Sequence, residues 1–166
     1  MSSDAIVLLK ADHKDIRNLF RKFQAAGDKA VKKKEKIAGQ IIELLTVHTY
    51  IENEVMYPRV RELLPVLEDD VLESYEEHHV ADVLVVELSM MKPDDERFTA
   101  KTTVLIENVD HHIDEEEKEW FPKVRAGLGR KALQELGADL LEAKKKAPRR
   151  PSQPSALKKT IDAVVS

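Results

Sequence analysis

The chain has 166 residues, 42% hydrophobic and 35% charged, with a net charge of −4, enough for one compact core and too short to expect two. Cysteine is absent, so disulfides, zinc ribbons and iron–sulfur clusters are excluded, and any metal must be held by nitrogen and oxygen. The acidic balance gives nucleic acid no attraction, and with neither a basic-then-apolar leader nor a membrane-length apolar run the expected protein is cytoplasmic with no membrane partner.

Few glycines and prolines, abundant Leu, Ala, Glu and Lys, and no strand-like alternation predict an all-α fold. The first helix is expected to start just after Ser2 or Ser3, either of which can cap it, and to stop near Gly27. Its apolar positions are Ile6, Leu9, Ile16, Phe20 and Phe23, and His13 fills the one gap in their spacing. The second runs from about Ala30 past Pro58 to the break at Pro65, with Ile37, Ile41, Leu44 and Leu45 leading to His48 on the inward stripe. The third occupies Glu68 to Met91, ending before Pro93, and carries Tyr75, His78 and His79. The fourth starts between Pro93 and Asp95, includes Val104, Leu105 and Val109 before His112, and ends at Gly127-Leu128-Gly129.

A short fifth helix, about Arg130 to Lys145, uses Leu133, Leu136, Leu140 and Leu141 to cover the bundle. From Lys144 onward the chain is basic and proline-interrupted, with no acid between Glu142 and Asp162. The expected division is a bundle over 1–127, a covering helix over 128–146 and a disordered tail over 147–166. The plain reading of the tail is solubilisation; an acidic partner is its functional alternative.

Two segments are near-copies offset by 64 residues: His48 to Glu52 followed by Tyr57-Pro58, and His112 to Glu116 followed by Phe121-Pro122. Four residues is about one helical turn, so each histidine and its glutamate share a face. With His13 and a third-helix histidine, four imidazoles and two carboxylates converge on one interior. That placement is untenable for unpaired carboxylates and natural for metal ligands. Superposing the copies selects His112 over His111, which becomes an outer or exposed residue. Periodicity hardly separates His78 from His79. The set is too large for one tetrahedral zinc, and glutamates can bridge, so two iron ions joined by an oxo or hydroxo bridge fit best.

The chain resembles the hemerythrin-like, or HHE cation-binding, family over roughly residues 4 to 126, and its fourth-helix wording and basic tail resemble mycobacterial and other actinobacterial members. His13 with Leu19-Phe20, the paired His-x-x-x-Glu segments, and Glu76-Glu77-His78-His79-Val80 carry the resemblance. It implies an up-and-down four-helix bundle with His13, His48, Glu52, His78, His112 and Glu116 as ligands, and it favours His78 over His79. Oxygen-carrying members place two histidines one turn apart on the third helix, but Ser74 stands one turn before His78 here. The second iron is therefore more open or borrows a ligand. Tyr75 is the candidate, against the plainer reading of a core aromatic with a satisfied hydroxyl. Trp120 lines the site as a packing residue, and Glu115 and Glu117 read as a solvated face unless they carry protons.

An open iron pair favours reaction with hydrogen peroxide or dioxygen. The expected activity is catalase-like peroxide disproportionation, which is also what the mycobacterial members imply. The alternative is a non-catalytic protein that binds or senses oxygen, nitric oxide or iron.

Overall fold

The computed structural model describes residues 4–151 as an all-α bundle. Helix α1 is Ala5–Ala25 and α2 is Val31–Ile51; α2 continues through a π turn, Glu52–Met56, into α3, Tyr57–Leu63. After a 3-10 turn at Pro65–Leu67 come α4, Glu68–Met90, and α5, Phe98–Glu115. A second π turn, Glu116–Trp120, joins α5 to α6, Phe121–Lys146. The four rods of the bundle are thus α1, α2 with α3, α4, and α5 with the start of α6.

Several boundaries differ from expectation for local reasons. Ser2 and Ser3 lie outside the described residues, and the cap is Asp4, whose carboxylate accepts from the Val7 N–H at 2.9 Å. The 91–97 stretch stays non-helical because Asp95 accepts from the Arg97 N–H at 2.8 Å, so α5 starts at Phe98 instead of near Pro93. The helical run is broken at Gly127-Leu128-Gly129, as the glycines predict. Gly129, at φ 77° and ψ 174°, kinks α6, a conformation that an L side chain resists. Beyond it Leu133, Leu136 and Leu140 are buried as the covering face requires, but Leu141 and, on α5, Val104 are exposed. Of the expected tail, residues 152–166 lie outside the described residues.

The apolar core forms two clusters separated by a polar layer. One gathers Ile6, Leu9, Tyr57, Phe121, Leu133 and Leu136 at the α6 end, and the other Ile16, Phe20, Ile41, Val85, Leu105 and Ile106 at the opposite end. The layer between them holds the histidines. Arg17 ties α1 to α5 beside it, donating to Asp110 at 2.9 Å and Asp114 at 2.8 Å. No helix among the described residues is long and apolar enough to cross a membrane.

The Asp4 cap is open to test. Burial raises its carboxyl, but the Val7 N–H and Arg125 outweigh this and hold it below 3.8. Asp4→Ala should cost about 1 kcal/mol. A depressed folded value means the carboxylate's contribution is present above 3.8 and lost as pH falls through the folded value. Asp4→Asn still caps but loses the Arg125 pair, so urea unfolding should show it less sensitive to acid than the parent.

Candidate metal centre

Each functional side chain is set by its own rod: His13 on α1, His48 on α2, His78 on α4 and His112 on α5, with Glu52 and Glu116 opening the two π turns. All six are buried, none more than 6% exposed. The structure brings together every one of the six residues that the spacing and resemblance singled out. They form two donor groups, His13, His48, Glu52 and Glu116, and Glu52, His78, His112 and Glu116.

The glutamates belong to both groups because each shows one oxygen to each side. Glu52 Oε1 is 3.2 Å from His48 Nε2 and its Oε2 is 3.0 Å from His78 Nε2. Glu116 Oε2 is 3.3 Å from His13 Nε2 and its Oε1 is 3.2 Å from His112 Nε2. The two Nε2 atoms of His78 and His112 are only 3.1 Å apart. His13 Nε2, His48 Nε2, Glu52 Oε1 and Glu116 Oε2 are buried without hydrogen-bond partners among the described residues. Lone pairs pointed at one another in a low-dielectric layer are costly unless a cation sits among them. The donor set therefore fits a metal, with nitrogen and oxygen in the proportion that iron accepts.

Three of the four imidazoles, all but that of His13, are oriented by their other nitrogen. His48 Nδ1 lies 3.1 Å from Asp12, His112 Nδ1 3.1 Å from Glu77, and His78 Nδ1 2.8 Å from the Asn53 amide oxygen. His13 Nδ1 faces Glu117 at 3.5 Å. Such outer partners fix the tautomer and strengthen the ligand. Burial opposes a charged His48 ring, yet Glu52 and Asp12 together raise it to about 10. Asp12, itself buried, also holds the Lys144 ammonium at 2.6 Å. Lys144 lies on α6 and reaches toward the centre. Glu117 likewise faces inward rather than forming part of a solvated face, with Arg17 at 3.7 Å.

The remaining calls divide clearly. His78 faces the cluster, whereas His79 is half-buried and outside both donor groups. His111 is exposed and pairs with Glu115 at 3.0 Å, away from the site. Tyr75 is not placed as a ligand: its hydroxyl donates to the Asn53 carbonyl at 3.3 Å and its ring packs edge-on to Tyr57 at 5.3 Å. Trp120 packs against Tyr57 as well, with ring centroids 5.4 Å apart.

The phenol at the site is Tyr57, which sequence reasoning passed over. Its hydroxyl donates to Glu116 Oε1 at 2.6 Å and lies 3.1 Å from Glu52 Oε2, 3.0 Å from His78 Nε2 and 3.3 Å from His112 Nε2. The cause is the π turn. In an α-helix five residues overshoot one turn by about 140°, so Tyr57 should face away from Glu52. Here the Tyr57 N–H bonds the Glu52 carbonyl, five residues back, and the two side chains stack on one face. Pro58 supplies a reason for the wide turn, because its ring would clash with the carbonyl four residues earlier in a regular helix.

Pro122 follows the second π turn in the same way, and Phe121 lies flat on the His13 ring at 5.7 Å. One side of the centre meets a phenyl ring and the other a phenol. Burial, then the Glu116 and Glu52 charges, push the Tyr57 phenol well above its ordinary value. The metal-free chain therefore keeps it protonated.

Three comparisons bear on this geometry. The hemerythrin HHE cation binding domain model matches residues 4–124. A DNA nickase from Nostoc sp. strain PCC 7120 is 29% identical over 143 residues, covering 86% of this chain; the chain spans only 40% of that protein's length. A crystal structure of a hemerythrin HHE cation binding domain-containing protein from Mycobacterium kansasii aligns with a TM-score of 0.72 at 19% identity, covering 87% of this chain and 86% of that one. At that identity the likeness is one of fold.

Proposed function

Because this chain belongs to the hemerythrin HHE cation binding domain family, we propose that it holds two iron ions and disproportionates hydrogen peroxide. When bound, an iron pair supplies a two-electron couple: one peroxide takes two electrons and two protons to give two waters, and a second gives two electrons and two protons to leave as dioxygen. Glu52 and Glu116 would hold both ions, since each offers one oxygen to each donor group. His13 and His48 would complete one position, and His78 and His112, with the Tyr57 oxygen, the other. The outer partners Asp12, Asn53 and Glu77 keep His48, His78 and His112 oriented, and the two apolar clusters flank the layer.

One observation carries the reading from binding to turnover. A cavity of about 90 Å³, with Ser74 in its wall, reaches His112 and Glu116 from the surface, so a small oxidant has access to the second donor group. The test is oxygen evolution from peroxide by iron-reconstituted protein, read with an oxygen electrode. Turnover should fall at least a hundredfold in His48→Ala and in Glu116→Ala, an order set by the loss of first-sphere ligands compared with the 10–100-fold cost of outer ones. Protein that retains its diferric absorption and evolves no oxygen would refute the activity.

A second reading has its own support. An enclosed, mainly apolar pocket of about 20 Å³ lies against His48, His78 and His112, lined by Leu45, Ala81, Val109 and Ile113, and it is of a size for a neutral diatomic gas. Reversible uptake of dioxygen, released under vacuum without peroxide turnover, would favour a binding or sensing protein. DNA nicking is not carried over from the Nostoc relative, because a chain with a net charge of −4 offers DNA phosphates little attraction.

A further inference from the structure

Besides His112, Glu116 and Glu77, which belong to the metal centre, the 90 Å³ cavity has a lining that the centre does not require. Its walls carry the carboxylates Asp70, Glu73, Glu77, Glu115 and Glu119 and a single cation, Lys123. Lys123 is committed to Asp70, at 3.2 Å, Glu77 holds His112 and Glu115 pairs with His111, and with Glu73 and Glu119 added the carboxylates outnumber the cations at the mouth. Oxygens of Glu73, Glu77 and Glu115 lie within 4.8 Å of one another. At the inner end, the wall is left open by Ser74, small and 7% exposed.

Trp120, 4% exposed, lines the same cavity.

We propose that this cavity is the entrance to the centre and that its carboxylates turn away anions while admitting uncharged oxidants. That the oxidant admitted is hydrogen peroxide rests on the function proposed above; the charge selection does not. A narrow passage lined by one sign of charge focuses the field, and such focusing alters association rates by factors of about 10 to 1,000. Azide, nitrite and superoxide carry the excluded charge. Hydrogen peroxide, nitric oxide and dioxygen do not. Screening weakens the effect beyond about 8 Å at physiological ionic strength, so the selection should fade with salt.

Trp120 is the chain's only tryptophan, which makes its fluorescence a reporter that needs no metal. In the full chain, cesium should quench Trp120 several-fold more effectively than iodide at low salt. The triple variant Glu73→Gln, Glu115→Gln, Glu119→Gln should lose that preference. In iron-loaded protein, the ratio of the azide association rate constant to that for peroxide should rise about tenfold in the same variant. Equal quenching by cesium and iodide in the parent, or an azide rate indifferent to both salt and the triple variant, overturns the entrance. Loaded protein that turns over no peroxide but keeps the quencher and azide selectivity would sink the peroxidatic reading and leave the selective entrance standing.

Discussion

Glu52→Ala should strip the protein of both metal ions, whereas His13→Ala and His78→Ala should each leave one. The difference follows from geometry: a histidine serves a single donor group, and Glu52 gives Oε1 to one and Oε2 to the other. Iron per chain, measured after reconstitution and desalting, should approach zero in Glu52→Ala and one in either histidine variant. The metal-free variant should also be less stable. Burial and the Glu116 charge raise the Glu52 carboxyl, yet His48 and His78 overcome both and hold it below the ordinary carboxylate range. Attraction therefore outweighs repulsion, and removing Glu52 leaves buried imidazoles without their anion. Breaking a buried pair in this way costs about 3 kcal/mol, or roughly 10 °C in Tm for a chain of this size. Retained helical circular dichroism would show that the metal loss is local. Two ions still bound in Glu52→Ala would overturn the shared-carboxylate arrangement.

How much of this centre is legible in sequence depends on the 3.6-residue period. The six clustered residues stand out because His48 with Glu52 and His112 with Glu116 sit one regular turn apart, and because His13 interrupts an apolar stripe. Where the period fails, the reading fails with it. Tyr57 follows a π turn, so counting 100° per residue sends its hydroxyl to the wrong face and promotes Tyr75 in its place. A signal was present: Pro58 and Pro122 each fall inside a segment that is otherwise helical, and an interior proline demands a widened turn or a break.

The contact between Asp12 and Lys144 was hidden for a different reason. Asp12 neighbours His13 in a charged run and reads as surface. It is buried, bonding His48 on one side and Lys144 on the other, only because α6 folds back over α1 after the Gly129 kink. A contact between residues 132 positions apart has no local signature. The Asp4 cap could not be separated from Ser2 or Ser3, since all three side chains are capable N-caps.

The phenol gives the second large effect. Tyr57→Phe should leave the fold intact, because the ring that packs against Tyr75, Trp120 and His78 is retained. It should nevertheless lower stability by about 2 kcal/mol in the metal-free chain, where the hydroxyl is hydrogen-bonded to the buried Glu116 carboxylate. Binding of a cation reverses the local electrostatics. Without metal, burial and two carboxylates keep Tyr57 protonated; a multivalent ion among Glu52, His78, His112 and Glu116 favours the phenolate instead. Ferric-loaded parent protein should then show a visible phenolate-to-iron charge-transfer band, absent from Tyr57→Phe and retained in Tyr75→Phe. The site's two halves differ in this one oxygen, for Phe121 occupies the corresponding place beside His13. If the band persists in Tyr57→Phe, the hydroxyl serves only as a hydrogen-bond donor to the glutamates, and the halves of the centre would be equivalent in their donor chemistry.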